Sequence, residues 1–183
     1  MEGYADFDEM IIDMWNRSVK KEDTLLHLGD VGLKEGYKRA QELNGHITLI
    51  IGNHDLKNKY LNFYREIGWD IIDYLRLDID EKDQVMKYLM SIFTKDELNN
   101  KLLACWVCDI NDKRIMFSHF PIFNNNPHDT KYNSLTKVLE EIYIFTKCDI
   151  NIHGHTHSAG AKEAFCKSAC LELNDFKLLK LEN

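Results

Sequence analysis

The sequence predicts an α/β protein in which strands alternate with helices. Apolar runs of strand length, rich in β-branched residues, are separated by stretches whose apolar residues recur at helical spacing. Short polar clusters stand at the ends of the strand-like runs, where open α/β sheets gather their functional groups. A chain of 183 residues can bury one sizeable core, and no repeat or linker interrupts it. We therefore expect a single domain over residues 1–183.

The first part of the chain contains three predicted helices and three predicted strands. The helices are expected at residues 7–19, 34–43 and 59–67. The strands are expected at residues 24–28, 46–51 and 69–74. Asn44-Gly45 ends the second helix, because glycine is favoured just past a helix C-terminus. The run at 46–51 is rich in β-branched residues, which is typical of a buried strand.

Residues 78–100 are charged and helical, and we interpret them as an insertion between strands, with its clearest helix at 81–93. The apolar positions of this insertion are Val85, Tyr88, Leu89, Ile92 and Phe93. Such a stripe usually packs on its own domain, but it could also form a surface for a partner or a homodimer.

The rest of the chain returns to strands. The strands are expected at residues 103–109, 114–117, 149–152, 165–173 and 177–181, with a helix at 134–145. Asn111-Asp112 predicts a hairpin-like turn between the first two of these strands.

Composition and charge exclude several classes of function. The net charge of −7 and the absence of a basic stripe leave nucleic-acid binding unsupported. No apolar run approaches the length of a membrane span, and residues 1–6 lack signal-peptide character, so no membrane association is expected. Five cysteines without a compact disulfide spacing indicate a cytoplasmic protein. Cys105 and Cys108 have CxxC spacing but lie in a strand-like apolar run, which favours buried core cysteines over a redox or zinc pair.

Four polar clusters carry the chemistry of the sequence. They are Gly29-Asp30, Gly52-Asn53-His54-Asp55, Ser118-His119 and Gly154-His155-Thr156-His157. Carboxylate, amide oxygen and imidazole form a ligand set that suits Mn, Fe, Ni, Co or Zn. His155 and His157 are alternate residues on an extended segment, so they can converge on one centre. A pair of such cations can supply the charge neutralisation and activated water that hydrolysis of a phosphate ester requires.

In this order, the four clusters resemble the motif series of the calcineurin-like metallophosphoesterases. Gly52-Asn53-His54-Asp55 and Gly154-His155-Thr156-His157 are together highly specific, and the resemblance covers most of the chain outside residues 78–100. It implies a four-layer α/β/β/α sandwich of two mixed sheets flanked by helices. It also implies a dimetal centre that hydrolyses a phosphodiester or phosphomonoester with metal-activated hydroxide. The expected substrate is a small phosphorylated molecule, for which a nucleotide is one candidate.

The resemblance also implies a role for each residue of the series. Asp30 would bridge two divalent cations, of which Mn is the first expectation, and His157 would bind the first cation. The second cation would be completed by Asn53, His119 and His155. His54 would donate a proton or stabilise the phosphate, with Asp55 holding the orientation of His54.

The family pattern begins with a strand ending in Asp-x-His, which supplies two ligands of the first metal and is missing from residues 1–10. One metal site is therefore expected to be well formed, and the other, with Asp30 and His157 alone, to be incomplete. Three explanations stay open. The first is that the chain begins at an internal Met or is a natural truncation. The second is that Asp6, Asp8 or Glu9 substitutes as a ligand. The third is that the protein is a catalytically silent interaction module. We favour a truncated enzyme, because His54 and Asp55 serve chemistry.

Overall fold

The computed structural model describes residues 6–32, 34–123, 130–156 and 164–181. In these ranges the helices are α1 (Phe7–Ser18), α2 (Asn58–Glu66), α3 (Lys82–Ile92), α4 (Lys95–Leu98) and α5 (Asn133–Phe145). The strands are β1 (Thr24–His27), β2 (His46–Ile50), β3 (Asp70–Ile72), β4 (Leu75–Asp78), β5 (Cys105–Ile110), β6 (Lys113–Ser118), β7 (Ile150–His153) and β8 (Cys166–Ser168). None of the described helices is long and apolar enough to cross a membrane.

The strands form two sheets. The first has the order β1-β2-β3 and is parallel, with Thr24 opposite His46 and Thr48 opposite Asp70. The second has the order β4-β5-β6-β7-β8 and is mixed, because only β5 and β6 are antiparallel to each other. Asn111 and Asp112 join β5 to β6 with φ angles of 52° and 60°, the left-handed pair that a two-residue hairpin turn requires.

The side chains of β6 show how the sheets and helices are layered. Ile115 and Phe117 are buried in a cluster with residues of the first sheet, α1 and α2. Met116 points the other way and is buried with residues of α3 and α5. The two sheets therefore pack face to face, with helices on both outer sides, which confirms the α/β fold predicted from the sequence.

Alternation also separates the two cysteines of the CxxC spacing on β5. Cys105 is buried in the cluster with α3 and α5, whereas Cys108 is buried in the cluster between the sheets. Both thiols are free, and burial raises the pKa of Cys108 to about 11. Because the two side chains leave opposite faces of the strand, they pack as small apolar groups rather than as a pair.

Two predicted elements in the first half differ in the structure. The helix predicted over residues 34–43 is a 3-10 helix at Gly36–Glu42. The strand predicted over residues 69–74 is shorter, since β3 covers only Asp70–Ile72, and the strand β4 that follows at Leu75–Asp78 in the second sheet was not predicted. The chain crosses from one sheet to the other at residues 73–74, which a pattern of apolar residues cannot show.

The last two predicted strands are largely absent. Of residues 165–173 only β8 is a strand, and a 3-10 helix follows at Leu171–Leu173. The strand predicted over residues 177–181 is wrong, because this segment has no regular secondary structure. The leucines of this segment are not sufficient for a strand, which also needs a neighbour to accept and donate its backbone hydrogen bonds.

Residues 78–100 form α3 and α4 after the end of β4, in agreement with a largely helical segment. Val85 and Leu89 of the predicted stripe are buried, and Tyr88 and Phe93 pack partly against the same cluster. The ring of Tyr88 stacks on Phe145 of α5, with 3.9 Å between centroids. Most of the stripe therefore packs on its own chain.

Candidate metal centre

The candidate centre lies where the parallel strands β1 and β2 end. Gly29-Asp30 follows β1 and Gly52-Asn53 follows β2, so parallel pairing brings both clusters to the same edge of the sheet. The two loops touch at their glycines. A Cβ atom on Gly29 would lie 2.6 Å from Nδ1 of His119, and one on Gly52 would lie 2.7 Å from the backbone nitrogen of Asp30. Only glycine permits this close approach.

Asp30 is held in an uncommon backbone conformation. Its φ angle is 57°, in the left-handed region that residues other than glycine rarely adopt. Its Oδ1 accepts the backbone N–H of His54 at 2.9 Å, and its Oδ2 lies 3.4 Å from Nε2 of His119. One oxygen therefore joins the two loops, and the other faces the neighbouring imidazole. Strained backbone of this kind is frequent at functional sites.

His119 is positioned by the carbonyl of Leu28. The side chain is only 1% exposed, and its Nδ1 lies 2.7 Å from the Leu28 oxygen. A carbonyl can only accept a hydrogen bond, so Nδ1 carries the proton and Nε2 keeps its lone pair. Burial lowers the pKa of His119 to about 4, with the carboxylate of Asp30 opposing that shift. The imidazole is therefore neutral near pH 7, the form that binds metal.

Three further ligand atoms surround Nε2 of His119. Oδ1 of Asn53 is 3.1 Å away, Nδ1 of His155 is 3.3 Å away, and the nearer oxygen of Asp30 completes the group. The ligand atoms of Asp30, His119 and His155 all lie within 4.8 Å of one another. Ligands about 2.1 Å from a single cation stand roughly 3.0–3.4 Å apart, so the spacing and the donor types fit a divalent metal.

His155 reaches this group from the second sheet. It follows β7, and Gly154 donates its backbone N–H to the carbonyl of His119 at 3.0 Å. The φ angle of His155 is 66°, again left-handed. Its ring packs 4.5 Å from the ring of Phe120 and 5.6 Å from that of Tyr132. Aromatic neighbours therefore fix the orientation of this imidazole.

Asp55 holds the loops together rather than contacting the solvent. It is fully buried, and its oxygens accept the backbone N–H groups of Asp30 at 2.6 Å, Val31 at 3.2 Å and Gly52 at 2.9 Å. Burial raises the pKa of Asp55, and these three hydrogen bonds oppose that shift. The sequence predicted that Asp55 orients the side chain of His54. The structure shows that Asp55 also joins the two loops through their backbone N–H groups.

The structure thus brings together Asp30, Asn53, His119 and His155, with His54 exposed at the border of the group. His157 lies outside the described residues. Asp6, one of the suggested substitute ligands, caps α1 by accepting the N–H of Glu9 at 2.7 Å. The carbonyl of Leu28 is a functional group that sequence reasoning missed, since any residue at that position offers the same oxygen.

The sequence and the fold of the chain are similar to those of known proteins. The model of the calcineurin-like phosphoesterase superfamily domain matches residues 9–174. Among solved structures, the chain is similar to the protein of unknown function AQ665 from Aquifex aeolicus, with 26% identity and a TM-score of 0.63 over 95% of this chain and 81% of that chain. It is also similar to an archaeal phosphodiesterase, with 18% identity and a TM-score of 0.45 over 87% of this chain and 72% of that chain. No match was found among curated proteins.

Proposed function

Because this chain belongs to the calcineurin-like phosphoesterase superfamily, we propose that it is a metal-dependent hydrolase of phosphodiesters or phosphomonoesters. The observation that carries the proposal is the set of ligand atoms around Nε2 of His119, 3.1–3.4 Å away. A divalent cation bound there supplies neutralisation of phosphoryl charge and an activated water. Mn is the first candidate, and Fe, Ni, Co and Zn have the same ligand preferences.

The residues of the chain have separate tasks in this proposal. Asp30 would hold the cation with a charged carboxylate, and His119 with a neutral imidazole. Asn53 binds without adding negative charge that would repel a phosphate. His54 is exposed and its backbone N–H bonds Oδ1 of Asp30. Its imidazole would give a proton to the leaving oxygen or stabilise the phosphate. Asp55 keeps the two loops in register through their backbone N–H groups.

The proposed substrate is a small phosphorylated molecule such as a nucleotide, in a cytoplasmic protein. Tyr132 is half-buried beside His155 and offers an aromatic surface near the ligands, on which a planar base could stack. The net charge of −7 favours a small ester over a nucleic-acid polymer.

The test is hydrolysis of bis(p-nitrophenyl) phosphate and p-nitrophenyl phosphate with added Mn²⁺. We expect turnover that EDTA abolishes, and a fall in kcat/KM of at least about 100-fold in Asp30→Asn, because a ligand charge is lost. Asp112→Asn, on the β5–β6 turn, is the matched control and should keep full activity. If neither this chain nor a version extended ahead of Met1 hydrolyses such esters, the enzymatic function is wrong.

A second candidate is a catalytically silent interaction module that binds a partner protein or forms a homodimer. It is favoured by the exposed apolar side chains of α3 and α5, since Met90 is 66% and Ile144 is 58% exposed. This function predicts bound Mn²⁺ without turnover, together with an oligomer or complex that Met90→Lys disrupts.

A further inference from the structure

The core beside the first sheet contains a buried hydroxyl group that packing alone does not explain. Tyr64 is fully buried, and its Oη makes no well-formed hydrogen bond with any described residue. Buried polar groups in native proteins are almost always paired, because an unpaired group loses its hydrogen bonds to water without replacement. A phenylalanine would fill the same apolar space without that cost. The hydroxyl therefore calls for a partner within the core.

The ring of Tyr64 is held on its side of the core. Tyr64 belongs to α2, and its ring stacks on that of Trp69, with 5.2 Å between centroids and 15° between planes. The backbone N–H of Trp69 also donates to the carbonyl of Tyr64 at 2.9 Å. A ring that is stacked and enclosed in this way cannot turn its hydroxyl towards the solvent, so the partner must lie nearby.

The charged group beside this phenol is the carboxylate of Asp55. Burial raises the pKa of Tyr64, and the carboxylate of Asp55 raises it further. An ionised carboxylate offers about four acceptor positions on its two oxygens. Among the described residues, the backbone N–H groups of Asp30, Val31 and Gly52 use three of them. A buried donor that lacks an acceptor therefore lies beside an acceptor that can take one more donor.

We propose that the hydroxyl of Tyr64 donates a hydrogen bond to the fourth acceptor position of Asp55, and that Tyr64 is thereby a positioning residue of the metal centre. The two side chains lie in the same enclosed region, so a small adjustment of either completes the bond. A hydrogen bond to an ionised acceptor is stronger than one between neutral groups, and it compensates for the burial of both.

Asp55 connects Tyr64 with the candidate metal ligands. Oδ2 of Asp55 accepts the N–H of Asp30, itself a candidate ligand, and that of Gly52, which precedes the candidate ligand Asn53. The fourth hydrogen bond fixes the rotation of the carboxylate, and the carboxylate in turn fixes the separation of the two loops. This effect on metal binding rests on the proposed function, whereas the contact between Tyr64 and Asp55 does not.

The test compares Tyr64→Phe with Tyr60→Phe, which removes a hydroxyl from another buried tyrosine one turn earlier in α2. In the metal-free protein, we expect Tyr64→Phe to speed amide exchange of Asp30, Val31 and Gly52 at least about 10-fold more than that of β6. It should also raise the Kd for Mn²⁺ about 10-fold in calorimetric titration. Tyr60→Phe should do neither.

A further measurement needs no variant. In the wild-type protein, the hydroxyl proton of Tyr64 should exchange slowly enough with water to be observed by NMR, because it is buried and hydrogen-bonded. A hydroxyl proton that exchanges too fast to be observed overturns the contact with Asp55.

The other outcomes also decide the proposal. Equal exchange in the two variants, or a rise that extends evenly to β6, means that the hydroxyl has no particular effect on the loops and overturns the positioning role. Selective exchange with an unchanged Kd for Mn²⁺ overturns the link to the metal centre. If the wild-type chain binds no Mn²⁺, the proposed function is wrong and the positioning role with it. The exchange and NMR results, obtained without metal, still decide the contact.

Discussion

At the residue scale, the close contact between the two loops explains why glycine precedes Asp30. Gly29 has a φ of +93°, and a Cβ there would lie 2.6 Å from Nδ1 of His119. Gly68 has a similar φ of +89° but nothing within 4 Å of the same position. Substituting Gly68 therefore measures the cost of a side chain on left-handed backbone alone, whereas substituting Gly29 also displaces His119, a candidate metal ligand.

We predict that Gly29→Ala weakens Mn²⁺ binding at least about 10-fold and destabilises the fold by more than Gly68→Ala does. Gly68→Ala should cost about 1 kcal/mol, the strain of a positive φ, and leave metal affinity unchanged. Calorimetric titration with Mn²⁺ and urea unfolding measure the two effects. Equal metal affinities in the two variants would contradict the role of the Gly29 contact.

A second residue-scale prediction concerns His27 and acid. Burial lowers the pKa of His27 to about 4, below its ordinary value of about 6.5, although Asp30 opposes the shift. The ring lies between those of Trp15 and Trp69, each 6.3 Å away. Between these pH values the unfolded chain binds a proton that the native chain does not. Stability is therefore complete above about pH 6.5 and falls as the pH drops towards 4.

We expect His27→Gln to reduce the loss of unfolding free energy between about pH 7 and pH 5 by about 1–2 kcal/mol. Urea unfolding of the metal-free protein at both pH values gives this quantity. His46→Gln, at an exposed position of β2, is the matched control. A wild-type pH dependence in His27→Gln would show that other groups are responsible.

At the element scale, α3 shows what the helical spacing of apolar residues predicts. The spacing of its apolar residues predicted one apolar face, and the structure buries Val85 and Leu89 of that face against α5 and the second sheet. Leu89 is fully buried, whereas Met90, the next residue, is 66% exposed. Adjacent residues of one helix therefore differ completely in environment.

We predict that Leu89→Ala lowers the free energy of unfolding by about 3 kcal/mol, because it leaves a cavity in a packed core. Met90→Ala should change it by less than about 0.5 kcal/mol. Denaturant unfolding of both variants checks the prediction. A large effect of Met90→Ala together with a change in oligomeric state would instead identify this helix as a partner surface.

At the scale of the whole molecule, the proposed metal site combines residues from both sheets. Asp30 and Asn53 come from loops of the first sheet, and His119 and His155 come from loops of the second. We predict one tightly held Mn²⁺ per chain after dialysis, with a second position filled only weakly. Elemental analysis measures this ratio. Two tightly held metals would mean that a group outside the set completes the first position.

Bound metal is also expected to stabilise the arrangement of the two sheets. A ligand present at about 100 times its Kd adds about 2.7 kcal/mol to the free energy of unfolding. Thermal unfolding with Mn²⁺ and with EDTA should therefore differ in Tm, and Asp30→Asn should remove the difference. A Tm that is independent of Mn²⁺ in the wild-type chain would contradict a resident cation.

The elements whose structure depends on local chemistry were predictable. The turn at Asn111-Asp112 and the buried strand β2 follow from residue type and apolar pattern alone. Residue type and apolar pattern did not predict two other features. These are the crossing between sheets after Ile72 and the loss of regular structure at residues 177–181. Both depend on which segments lie next to each other, and apolar periodicity contains no information on neighbours.

The sequence by itself determined the fold class, the order of the polar clusters and the types of ligand that they offer, because these are properties of short segments. Only the tertiary structure decided how the ligands meet. Asn53 and His119 are 66 positions apart, yet their side-chain atoms lie 3.1 Å apart. The lone pair of His119 is directed by the carbonyl of Leu28, 91 positions away. Contacts of this kind arise when sheets pack together, so they cannot be inferred from residues that are far apart along the chain.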